Sequence, residues 1–207
     1  MTDHAFDISA LTQRLELRDR FAQPLQTVAG FCVEVAGANT VASAVLLDAR
    51  TLAVLDQQVA RVPVTGGPVA GQPGVHEVPA LLAALDELRA TPDLSLVEGH
   101  GIAHAQRLGT AAHFGVVADL PCIGVATAVE AGTARLALHE MRGAFTPLRD
   151  GPQQIGWLLR SRPDAPPLVV SPGHRVSMPS APELVMRFVA SDRRPEPTRL
   201  ARLLLQR

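Results

Sequence analysis

Three apolar, β-branched-rich runs stand back to back between residues 28 and 62: Val28–Ala36, Thr40–Leu47 and Leu52–Val62. Gly37-Ala38-Asn39 and Asp48-Ala49-Arg50 separate them, and connections that short predict an antiparallel meander of three strands. The chain then changes period. Residues 63–76 are rich in Pro and Gly and read as a loop. Glu77 to Arg89 carries Leu81, Leu82, Leu85 and Leu88 on one helical stripe, with Pro79 tolerated near the first turn. Leu94–Glu98 is a short apolar run, about Arg107 to Ala118 a helix, and Pro121–Ala126 another apolar run. Strand, loop, helix and strand in that order predict parallel pairing through a right-handed crossover. Further strands are expected at Gly156–Arg160 and Leu168–Ser171, and further helices at Ser180–Ala190 and Thr198–Leu205. At the N-terminal end, Ile8, Leu11 and Leu15 have helical spacing, so a helix is expected from Ile8 to about Phe21, capped by Asp7 or Ser9.

A meander followed by alternating helix and strand describes an α/β fold, a mixed sheet with flanking helices of ribonuclease-H-like architecture. With 207 residues and 47% hydrophobic content, one domain spanning 1–207 is expected. No apolar run reaches bilayer length, and Met1-Thr2-Asp3-His4 does not open a secretory signal. Cys32 and Cys122, the only cysteines, sit in apolar runs as buried reduced thiols, which fits a cytoplasmic protein. A net charge of -1 supplies no global attraction to nucleic acid. All nineteen basic residues are arginine, and lysine and tyrosine are absent, so the chain lacks a titratable amine and a phenol. From Arg187 to Arg207 six arginines stand against Asp192 and Glu196. They form either a surface that holds phosphates or a solvated helix whose Arg stems cover apolar surface.

The chemistry concentrates at Glu98-Gly99-His100-Gly101-Ile102-Ala103-His104, where a strand delivers a carboxylate into a Gly-flanked turn with two histidines. Sites favour the C-terminal ends of strands in sheets of this kind. Glu34 shares one face of its strand with Cys32 and Ala36; it is either on a solvated face or, if covered, paired or metal-bound. Glu77 opens a helix, where a carboxylate is favourable against the dipole. If the first and fourth strands are neighbours, Glu34, Glu77 and Glu98 can converge, and converging carboxylates call for a hard cation such as Mg2+. His100 and His104 would orient water or contact phosphate, and His174, in another turn, is a candidate for the rim.

Glu77-Val78-Pro79-Ala80-Leu81-Leu82, Gly99-His100-Gly101-Ile102-Ala103-His104, Arg107-Leu108-Gly109, Pro121-Cys122-Ile123-Gly124-Val125-Ala126, Gly173-His174-Arg175-Val176-Ser177 and Pro195-Glu196-Pro197-Thr198-Arg199 together resemble the endonuclease V family, in order and spacing. The resemblance implies a ribonuclease-H-like fold and Mg2+-dependent cutting of DNA or RNA near deaminated purines, chiefly inosine, with Mn2+ as the alternative cation. It implies metal ligation by Glu34, Glu77 and Glu98, and His104 as a further catalytic residue. Gly99, His100, Gly101, Arg107 and His174 would bind substrate, and the expected state is a monomer. The resemblance aligns Glu34 and Glu98 with family aspartates, Thr127 with a lysine, and Gly67-Pro68-Val69-Ala70-Gly71 with a wedge that carries tyrosine. A longer ligand arm shifts each carboxylate by about an ångström, whereas Mg2+ demands contacts near 2.0–2.1 Å. Three readings follow: an endonuclease of this type, a weakened or inactive homologue that binds nucleic acid without cutting it, or a structural or partner-binding domain that retains only the core.

Overall fold

A computed structural model describes residues 7–64 and 74–206. The three predicted meander strands are β1 (Thr27–Ala36), β2 (Asn39–Asp48) and β3 (Val54–Pro63). They are followed by α2 (Glu77–Asp86), β4 (Leu94–Glu98), α3 (Thr110–Ala118) and β5 (Cys122–Ala126). The C-terminal half adds β6 (Phe145–Asp150), β7 (Gln153–Leu159), β8 (Leu168–His174), α4 (Ser180–Arg187) and α5 (Glu196–Leu205). All eight strands form one sheet, in the order β3-β2-β1-β4-β5-β8-β7-β6. As expected, β1–β2–β3 is antiparallel, while β4 runs parallel to both β1 and β5.

Strand parity sorts the side chains into two layers. Val28 and Cys32 of β1, with Leu94 and Leu96 of β4, face α4 and α5 and pack with Val185, Phe188 and Ala201. Ala29, Phe31 and Val97 point the other way, onto Val78, Leu81 and Ala84 of α2 and Phe114 of α3. The Phe31 and Phe114 rings lie 4.9 Å apart in a tilted stack. That pair contributes about 0.5–1.5 kcal/mol beyond its area burial.

Two elements differ from the sequence reading. The first helix, α1, spans only Ile8–Gln13, with Asp7 accepting from the Ser9 and Ala10 N–H groups. Beyond it the backbone turns to Arg175: the Arg175 N–H donates to the Glu16 carbonyl, and the Arg20 N–H to the Arg175 carbonyl. The off-phase Leu17 marks where helical periodicity fails. Strand β6, in the stretch beyond residue 130 where the sequence pattern weakens, was not expected, and it carries Pro147. It survives at the end of the sheet, where a missing N–H costs no ladder bond.

Candidate active site

The C-terminal ends of β1 and β4 meet under α5, and Gly30 is why the helix comes so close. A Cβ built there would lie 2.0 Å from the Pro197 carbonyl carbon and oxygen, so α5 rests directly on the β1 backbone. The Ser43 hydroxyl donates to the Ala201 carbonyl at 2.6 Å and fixes the same helix over β2. The next residue, Arg202, projects onto the end of β4. Its Nε and Nη2 donate to Glu98 Oε2 and Oε1 at 2.7 and 2.8 Å, a two-pronged guanidinium–carboxylate pair. Arg194 Nη2 stands 3.9 Å from Glu98 Oε1. The Glu98 side chain is 15% exposed and that of Arg202 31%, so the pair is largely shielded from water.

The β1 residue that meets Glu98 is Cys32. Pairing of Phe31 with Val97 brings the next residues of both strands side by side, and Cys32 Sγ lies 3.3 Å from Glu98 Oε2. Burial, reinforced by the Glu98 charge, pushes the Cys32 thiol up to about 12, so it stays a neutral S–H. The hydrogen bond to Glu98 raises Arg202 above its ordinary value and keeps the guanidinium charged. Arg193 Nη2 donates to the Thr127 carbonyl at 3.3 Å and to the Pro167 carbonyl at 2.7 Å.

The expected metal trio is not assembled. Glu34 sits two residues beyond Cys32, exposed at the open end of β1. Glu77 opens α2, whose apolar face packs on the opposite layer from Cys32 and α5. Among the described residues no group of three or more His, Cys, Asp or Glu side chains could hold a metal ion. The donor chemistry agrees: both Glu98 oxygens are taken by a guanidinium, and the neighbouring β1 side chain offers a thiol instead of an oxygen. These residues do not fit Mg2+, which takes oxygen ligands in near-ideal octahedral geometry.

The turn after β4 is as expected in place and fuller in detail. Gly99 adopts φ 148°, which carries the chain off the strand. A Cβ on Gly101 would lie 2.1 Å from the Pro172 carbonyl oxygen, so the turn is pressed against β8. The Gly101 N–H donates to Ser171 Oγ at 2.8 Å. Glu130, beyond β5, links the two histidines: His100 Nδ1 is 2.9 Å and His104 Nε2 3.0 Å from its carboxylate. His104 Nδ1 accepts from the Gln106 N–H, so Nε2 carries the proton toward Glu130. His100 Nε2 faces the Ala128 carbonyl at 2.9 Å, so both ring nitrogens are engaged.

Arg107 and His174 are placed differently from expectation. Arg107, at φ 58°, gives its guanidinium to Asp150 (2.6 Å), Gln153 (3.2 Å) and the His104 carbonyl (2.9 Å), so it fastens the turn to the β6–β7 hairpin. His174 pairs with Cys122, at the start of β5, whereas Glu98 pairs with Val125 near its end. Three residues of strand, roughly 10 Å, separate those levels, so His174 is not on the rim of this site. It is buried at 3% exposure, and its Nδ1 accepts from the Glu16 N–H. The wedge at Gly67–Gly71 lies outside the described residues.

Burial lowers the His174 pKa below its ordinary value, Arg175 adds to this, and Asp119 and Glu16 oppose it. A folded pKa below the unfolded one favours folding above the unfolded value of about 6.5, and that contribution is lost as pH falls through it. The urea midpoint should therefore drop between neutral and mildly acidic pH, and drop less in His174→Gln. An equal drop in both proteins would remove His174 as the cause.

Sequence reasoning missed Cys32, Arg202, Arg194 and Glu130 as partners of this site. Cys32 carried a signal, since it shares the strand face of Glu34. Glu130 was open to inference only as a carboxylate in the loop after β5, at the same sheet end as the β4 turn.

The sheet and this carboxylate–histidine turn define a ribonuclease-H-like domain of the nuclease class. The endonuclease V family model matches residues 9–203. Endonuclease V of Xanthomonas oryzae pv. oryzae is 52% identical over 95% of this chain and 84% of its own length. The crystal structure of endonuclease V from Streptomyces avermitilis superposes with a TM-score of 0.88 at 35% identity, covering 95% of this chain and 87% of that one. Ciona intestinalis endonuclease V, solved with a DNA containing inosine, shares the fold at a TM-score of 0.79 and 20% identity, covering 95% of this chain and 92% of that one. The chain belongs to the endonuclease V family, a family of metal-dependent nucleases. No helix among the described residues is long and apolar enough to cross a membrane.

Proposed function

We propose that this protein acts on DNA or RNA carrying deaminated purines, inosine above all, as an endonuclease V-type phosphodiesterase working as a cytoplasmic monomer. The observation that carries this reading is the Gly99–Gly109 turn, which follows Glu98, is seated on β8 through Gly101 and joins His100 and His104 through Glu130. In this reading Gly99 lets a base approach the backbone, Gly101 seats the turn on β8, His100 meets phosphate, and His104 is held by Glu130 to orient water or phosphate. Arg107 holds the turn to the β6–β7 hairpin. Mg2+, with Mn2+ as the alternative, is the cation to supply in assays of the family reaction.

The Glu98–Arg202 pair favours a second reading, in which the same surface recognises the lesion but cuts it weakly or not at all. The test is an inosine-containing oligonucleotide against an adenosine control, with Mg2+ or Mn2+, scoring binding and strand cleavage together. Inosine-selective cutting, lost in Glu98→Gln, establishes the first reading. Inosine-selective binding without cutting establishes the second. Absence of inosine preference in both measurements overturns the proposal.

A further inference from the structure

We infer that the Arg202 guanidinium stands where a divalent cation would sit on Glu98, so that the wild-type chain takes up no Mg2+ or Mn2+ at this position. Three observations meet there. Arg202 engages both carboxylate oxygens, leaving neither as an unshared ligand. The facing β1 residue, Cys32, brings a thiol within 3.3 Å where a second carboxylate would be needed. No third donor completes a cluster among the described residues. Charge points the same way: Arg194 adds a second cation 3.9 Å from Glu98, and a divalent ion entering between the two guanidinium groups would meet repulsion instead of a negative cage.

The arrangement is also sterically settled. Gly30 lets α5 lie on β1, the Ser43–Ala201 hydrogen bond fixes it there, and Arg202 is delivered to Glu98 as part of that docked helix. The guanidinium is therefore a built-in counterion, part of the folded core edge. The inference gains its meaning from the nuclease reading, but its test reads cation uptake and is independent of whether any nucleic acid is cut.

The experiment is a Mn2+ titration of the full chain, following free Mn2+ by electron paramagnetic resonance, with wild type, Glu98→Gln, and the double variant Cys32→Asp/Arg202→Ala. The double variant places two carboxylates side by side and removes the competing cation. Wild type should show no uptake that Glu98→Gln abolishes, and the double variant should gain one site per chain, at least about tenfold tighter than any wild-type uptake. Uptake by wild type that disappears in Glu98→Gln overturns the inference. A double variant that is folded by circular dichroism yet gains no site overturns the role given to Arg202. Should that variant not fold, Cys32→Asp/Arg202→Gln, which keeps a polar amide at 202, carries the same two expectations.

Discussion

Gly30→Ala is expected to lower stability by about 3 kcal/mol or more, the upper end for overpacking, and to pull α5 off the sheet. The new methyl would sit 2.0 Å from the Pro197 carbonyl carbon and oxygen and 2.6 Å from the Thr198 nitrogen. Apolar carbon contacts are favourable near 3.5–4.0 Å, so the helix start has to retreat by about 1.5 Å. The atoms met are backbone, and no rotamer change relieves them. Retreat also strips Thr198 and Ala201 of their burial and draws Arg202 away from Glu98. Gly37→Ala is the control: a Cβ there meets nothing within 4 Å, but its φ of 62° is left-handed. Strain alone costs about 1–2 kcal/mol. Urea denaturation should rank Gly30→Ala clearly below Gly37→Ala. The reverse order would mean that α5 is not held by close approach to β1.

Gly101→Ala should be nearly as damaging, and its effect falls on the site itself. A Cβ there would lie 2.1 Å from the Pro172 oxygen and 2.6 Å from the Pro172 carbon and Ser171 oxygen, all backbone atoms of β8. The turn would have to lift, breaking the Gly101 N–H to Ser171 Oγ bond and the Ile102 N–H to Pro172 carbonyl bond. His100 and His104 ride on that turn and would lose their common partner Glu130. We expect a loss of about 2–3 kcal/mol and at least about a tenfold fall in inosine preference. Urea denaturation and competition binding against an adenosine oligonucleotide measure the two effects. Unchanged preference in the variant would show that the turn does not read the base.

Much of this fold is legible without coordinates because its signals are local. The β-branched runs of β1–β3, bounded by Gly37-Ala38-Asn39 and Asp48-Ala49-Arg50, specify a meander, and the leucine stripe of α2 specifies a helix. The parallel β4–β5 pair follows from the helix between them. The site is less legible because it depends on register across non-adjacent strands. Whether Cys32 or Glu34 meets Glu98 turns on a shift of two residues that leaves the face unchanged, so alternation cannot choose between them. The Arg-rich tail is a similar case. Its composition is equally compatible with a phosphate surface and with an amphipathic helix. Only the rotation of α5 shows that Arg202 turns inward to Glu98 while Arg199 pairs with Glu196 on its own helix. His174 misled because a Gly-flanked histidine after an apolar run looks the same at either end of a sheet, and an antiparallel β8 puts it at the end away from Glu98.

The central claim is that a guanidinium supplies, from within the chain, the positive charge that Glu98 would otherwise draw from solution. It is tested most directly by the anisotropy of a labelled inosine oligonucleotide titrated with the protein, in excess EDTA and again in Mg2+. The same affinity and the same preference over the adenosine control are expected in both buffers. Affinity that is absent in EDTA and rises at least about tenfold with Mg2+, in wild type but not in Glu98→Gln, would contradict it.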